Sequence, residues 1–117
     1  MNKLFDVVFL DDAYEFLKGL KRTHYEKIIY NIRKAQVEQN ILLFKKLHHE
    51  IWEFRVLYQG IQYRLLAFWD KSSRSETLVI ATHGFIKKQE KTPDNEILKA
   101  RKLRIKYFDD KIKNNKK

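Results

Sequence analysis

The hydrophobic pattern changes its period once, near Leu47, and this change constrains the fold more than any other feature of the chain. Before it, Tyr25, Ile28, Ile29, Ile32, Ala35 and Val37 mostly recur three or four residues apart, with Lys27, Arg33, Lys34 and Glu38 left between them. That is the apolar stripe of an amphipathic helix. After it, Trp52, Phe54 and Val56 alternate with Glu53, Arg55 and Leu57, the two-residue period of a strand with one face in a core. A helical pattern followed by an alternating one predicts a helical layer laid on a sheet, the α+β class.

The flanking segments complete this reading. Val7–Leu10 is a short β-prone run that stops at Asp11-Asp12, which is N-cap chemistry for a helix from Ala13 to Leu20. Gly19 interrupts that helix near its end, and Thr23 with Glu26 matches a capping box that opens the second, longer helix. Tyr58-Gln-Gly60 supplies a turn, Tyr63–Trp69 a second strand, Asp70–Glu76 a polar connection, and Thr77–Phe85 a third strand. These three read as an antiparallel meander. Pro93 then sits where a helix takes proline in its first turn, and Ile97, Ala100, Leu103 and Tyr107 carry a terminal helix. The basic tail from about residue 109 to 117 is too polar to pack and is expected to fray. The prediction is one domain over residues 1–117. Two N-terminal helices cover one face of a small antiparallel sheet in the order β-α-α-β-β-β, and a C-terminal helix follows. Ile28, Ile32, Trp52 and Phe54 are the predicted core.

Charge narrows the partners. Lys and Arg number 25 against 15 Asp and Glu, a formal net charge of +10, and residues 87–117 hold 12 of the former against 5 of the latter. Such a balance favours acidic polymers, nucleic acid first and anionic membrane second. The absence of cysteine excludes a disulfide scaffold, cysteine-ligated zinc and a thiol nucleophile. No apolar run approaches the roughly 18 residues of a membrane span, and the first ten residues lack the basic start and apolar block of an export signal. A cytoplasmic protein with no membrane partner is expected.

The alternation on the first meander strand puts Glu53 and Arg55 on the face away from the two helices, as either a solvated cross-strand pair or part of a site. Arg64 stands in an otherwise nearly apolar stretch, where it needs solvent, a carboxylate such as Glu53, or a ligand phosphate. His83 ends the third strand and reads either as a hydrogen-bonded structural residue or as a proton donor and acceptor. Gly84 beside it would allow close backbone approach, Phe85 offers a ring for base stacking, and Lys87, Lys88 and Lys91 follow. Lys45 and Lys46 read as a basic rim. Histidine, arginines and lysines together suit RNA cleavage without a metal or other cofactor, which needs a base for the 2′-hydroxyl, cations for charge on phosphorus and an acid for the leaving oxygen. His48 and His49 adjoin Glu50, but adjacent strand residues point to opposite faces and no third ligand stands at metal-site spacing.

Leu47…Glu50-Ile-Trp-Glu-Phe-Arg55, Tyr63-Arg64, Thr82-His-Gly-Phe-Ile-Lys-Lys88, Lys91-Thr-Pro93 and Glu96-Ile…Ala100 together resemble the HigB-like, phage-related branch of the RelE/ParE toxin superfamily, over residues 3 to 108. The resemblance implies a RelE-like microbial ribonuclease fold and the toxin of a type II toxin–antitoxin system. It implies a ribosome-dependent mRNA endonuclease, or mRNA interferase, that acts on mRNA in the ribosomal A site, inhibits translation and arrests growth. A HigA-like helix-turn-helix antitoxin would neutralise it in a hetero-oligomeric complex. Glu53, Arg55, Arg64 and His83 fall where this branch keeps its catalytic-face charges, while Lys87, Lys88 and Lys91 match its basic loop. Lys46 and Phe85 join them as RNA-binding candidates. Members often read Lys-Lys-Thr-Gln-Lys-Thr-Pro in that loop, whereas here the middle pair is Gln89-Glu90. Two other functions fit: a ParE-like gyrase inhibitor on the same fold, and a non-catalytic RNA- or ribosome-binding module.

Overall fold

A computed structural model describes residues 2–72 and 77–115. The order is β1 (Asp6–Phe9), α1 (Asp11–Lys18), α2 (Arg22–Val37), β2 (Phe44–Lys46), β3 (Trp52–Tyr58), β4 (Ile61–Asp70), β5 (Leu78–Lys87) and α3 (Asp94–Asn115). One sheet takes the order β1-β5-β4-β3-β2. The α+β class and the meander β3-β4-β5 match the sequence reading. The sheet, however, is mixed rather than antiparallel: β1 runs parallel to β5, with Val7 opposite Val79 and Phe9 opposite Ala81. It also gains an edge strand, β2, in which Phe44 pairs with Phe54 and Lys45 with Glu53. Both corrections concern pairings that local periodicity does not carry. β1 meets a partner some seventy residues away, and β2 is too short to show an alternation.

The helix starts also differ from expectation. Leu10, not an aspartate, occupies the N-cap position of α1, so Asp11 and Asp12 lie inside its first turn, where carboxylates favour the positive end of the helix dipole. The capping box of α2 does not form. Lys21 is the N-cap without a side-chain bond, and Glu26 instead accepts from Arg22 Nε at 3.0 Å, one turn away. The β3–β4 turn is as read: Gln59 and Gly60 have φ of 49° and 77°, the paired left-handed residues of a two-residue hairpin. His24 of α2 clips this turn, with Nδ1 2.7 Å from Tyr63 Oη and Nε2 3.1 Å from Gln59 Oε1.

Each sheet face has its own core. Under α1 and α2 lie Ala13, Leu17, Ile28, Ile32, Ala35, Phe44, Phe54, Val56, Tyr63, Leu65, Ala67, Val79 and Ala81. The rings of Phe44 and Phe54 stack at 4.2 Å. Trp52 shares this face but lies at its margin, half-buried. Under α3 lie Ile51, Leu66, Phe68, Ile80, Ile97 and Ala100. The terminal helix does not stop near residue 109. It continues to Asn115, because Asp70 at the end of β4 accepts from Tyr107 Oη at 2.6 Å and from Lys111 Nζ at 2.7 Å. Asp70 is buried, and these donors together with Ser72 hold its carboxyl far below the usual range even though burial alone would raise it. Burial first, then the bond to Asp70, pushes the Tyr107 phenol up to about 12. Of the polar connection read over 70–76, residues 73–76 lie outside the described residues, as do 116 and 117 of the tail.

Candidate functional site

A β-bulge sets the geometry of the α3-covered face. Leu66 pairs with His83 but Ala67 pairs with Ala81, so Thr82 is an extra residue in β5. Strict alternation from Ile80 would send His83, Phe85 and Lys87 toward α1 and α2. The inserted residue reverses them onto the face that carries Glu53, Arg55 and Arg64. Gly84 is thereby turned the other way. A Cβ there would come within 2.3 Å of the Phe16 ring of α1, so this glycine serves helix packing rather than close approach of a ligand to the site.

Glu53 is the centre of the polar cluster. Its side chain is 3% exposed, and Oε1 lies 3.5 Å from Arg64 Nε and 3.7 Å from Arg55 Nε. Oε2 accepts from the Thr92 hydroxyl in the loop before α3. The two arginines face each other directly across β3 and β4. Arg64 is 4% exposed; its Nη1 donates to the Tyr63 carbonyl and its Nη2 to Gln62 Oε1, both at 2.9 Å. Burial lowers its pKa most and Glu53 opposes this, yet a guanidinium keeps its proton under any such shift. Arg55 differs. Its side chain is 29% exposed and reaches the cleft.

That cleft has a volume of about 370 Å³ and is walled by Lys45, Glu53, Arg55, Lys87, Lys91 and Thr92, with Glu90 and Asp94 at its border. Five cations, counting Arg64 beneath it, face three carboxylates. The Lys87 ammonium is depressed below its ordinary pKa, chiefly by burial and then by the Arg64 charge. Such a surplus of cationic donors can seat an anion, with the two arginines held by Glu53.

The structure brings Glu53, Arg55, Arg64 and Lys87 into one cluster and sets Lys91 on the same cleft. Lys88 is exposed and does not line it. Lys46 does not either: it pairs with Trp52 and opens at the far end of the sheet near Trp69 and Arg104, whereas its neighbour Lys45, opposite Glu53, has the facing position. Phe85 is half-buried, its ring 6.0 Å from that of His83. His83 itself is 2% exposed. Its Nδ1 lies 3.0 Å from the Thr82 hydroxyl and its Nε2 lies 3.0 Å from Glu96 Oε1 of α3. Burial lowers its pKa more than Glu96 raises it. Both nitrogens are thus engaged within the fold, and in this arrangement the ring fastens α3 to the sheet. Sequence reasoning missed Thr92, and it read Lys45 only as part of a basic rim with Lys46; the strand pairing of Lys45 with Glu53 is what separates the two.

A family model described as phage derived protein Gp49-like (DUF891) matches residues 15–104, which contain every residue of this cleft. No curated protein matches the chain.

Proposed function

The chain belongs to the Gp49-like phage-derived family, which is associated with RelE/ParE-type toxins, and from that premise we propose that it is the toxin of a type II system of the HigB-like branch, a metal-independent mRNA endonuclease acting in the cytoplasm on mRNA in the ribosomal A site. Residues 1–117 form its single RelE-like domain, and its inhibitor is a HigA-like helix-turn-helix antitoxin. The observation that carries the reading is the cleft in which Glu53 holds two arginines beside Lys45, Lys87 and Lys91. In the reaction, the RNA 2′-oxygen bonds to the adjacent phosphorus as its proton leaves, and the bond from phosphorus to the 5′-oxygen breaks as that oxygen gains a proton. A cyclic 2′,3′-phosphate and a 5′-hydroxyl result. Arg55 and Lys87 contact the phosphate, where charge grows on its oxygens. Arg64 contributes its charge from beneath, and Glu53 orients both guanidinium groups. Lys87, whose ammonium burial holds below its ordinary pKa, is the cleft group we assign to proton exchange. His83 is a positioning residue in this scheme.

In vitro translation followed by primer extension tests the proposal. Discrete cuts that require the protein, with cyclic phosphate at the upstream ends, are the expected result. Growth arrest without mRNA cleavage, accompanied by blocked gyrase supercoiling, would favour the ParE-like reading. Ribosome binding with neither effect would favour the non-catalytic module.

A further inference from the structure

The 22-residue helix α3 packs one side against the sheet through Ile97, Ala100, Tyr107 and Phe108. About a third of a turn round from that side, Leu98, Ile105 and Ile112 are 47%, 56% and 55% exposed. Their spacing is seven residues each time, so they form one narrow apolar seam. Arg101, Lys102, Lys106 and Lys113 flank it, while Asp94 and Asp109 bring acids into its line. Among the described residues neither Arg101 nor Lys102 has an ion-pair partner, while Lys106 is bonded to Asp110 within the helix at 2.8 Å.

Three occupants could cover such a seam. A second copy would set basic flank against basic flank on a chain of net charge +10. An anionic membrane calls for a broad apolar face, and this seam is one residue wide with Asp109 between Ile105 and Ile112. A helix with its own heptad stripe and acidic flanks satisfies both the spacing and the charge. We propose that the outward face of α3 is the docking surface for an acidic amphipathic helix of a partner protein. This surface is independent of what the cleft does. It also places the partner on the helix whose first turns hold His83 through Glu96, leaving the cleft itself open.

The test uses a four-heptad acidic coil peptide, with Leu at the seam positions and Glu on both flanks, titrated by fluorescence anisotropy. The full chain should bind it, more weakly as salt rises. Binding should fall at least about tenfold in an Ile105→Glu/Ile112→Glu variant, since charging the centre of an apolar contact removes its main anchors. Arg101→Glu/Lys102→Glu should weaken it as well, and a peptide with Lys on its flanks should not bind. Circular dichroism checks that both variants are folded, and unchanged mRNA cleavage by them separates this surface from the cleft. Absence of binding by the acidic peptide, or binding that survives Ile105→Glu/Ile112→Glu, overturns the proposal. So does self-association, or binding to anionic vesicles, that these two substitutions abolish.

Discussion

Among the described residues, the sheet face beneath α1 and α2 buries aromatic and aliphatic side chains and no carboxylate or guanidinium; its buried polar residues, His24 and Gln36, are hydrogen-bonded. The face beneath α3 buries Glu53, Arg64, Asp70 and His83 around a much smaller apolar cluster. Taking ions from water is costly, and well-packed apolar residues of the same size often serve a fold as well or better. A protein that needed only stability would treat its two faces alike. The asymmetry supports the proposal that sets the chemistry on the α3 side, and the following experiments bear on it.

The largest effect belongs to the apolar face. Phe54, 1% exposed and stacked on Phe44, should lose about 3–5 kcal/mol of folding stability on replacement by alanine, measured by urea denaturation. A loss below about 1 kcal/mol would mean that this face is not the main core. Trp52→Ala should cost less than Phe54→Ala, since Trp52 lies at the margin of that core.

His83 separates the faces by pH. Its pKa is lower in the folded chain than the ordinary 6.5, so the unfolded chain binds the proton more readily. Its contribution to stability is complete above pH 6.5 and is lost as pH falls below that value through the folded pKa. Wild type should destabilise more steeply than His83→Gln between about pH 7 and 5. Parallel curves would show that the buried ring titrates as it does in the unfolded chain. The Asp70 carboxylate acts in the same direction at lower pH, with its contribution lost on acidification below 3.8.

The smallest effects concern the rim. Replacing Lys45, Lys87 and Lys91 by alanine should reduce the log–log salt slope of RNA binding by about 0.7 for each lysine–phosphate pair removed. Replacing Lys46 and Lys88, which lie off the cleft, should change it less. Glu90→Gln should tighten binding, because that acid borders the cleft. Equal slopes for the two sets of lysines would show the cleft to be no preferred RNA path.

Much of this division was legible in the sequence. The stripe Ile28, Ile32 and Ala35, the alternation through Phe54 and Val56, and the Gln59-Gly60 turn are local signals that tertiary structure preserves. They place Glu53 and Arg55 on the far face and offer Glu53 as one of three possible partners of Arg64, the one the structure shows. The bulge at Thr82 was not legible, because one inserted residue leaves no mark on composition yet reverses every side chain after it. The packing role of Gly84 is hidden for the same reason. The burial of His83 depends on Glu96, thirteen residues away on α3. The length of α3 depends on Asp70, 41 residues before Lys111. Such contacts are decided by packing, and sequence spacing does not reveal them.

The division of labour meets its most direct test in cleavage rates per folded molecule. Wild type, Arg55→Ala and Phe54→Ala are compared by primer extension in a purified translation reaction, with the folded fraction of each fixed by circular dichroism. Phe54→Ala should cut at the wild-type rate once scaled to its folded fraction. Arg55→Ala should stay folded and lose about 10²–10³-fold, the cost of removing one preorganised charge donor. Folded Arg55→Ala cutting mRNA as fast as wild type would contradict the account.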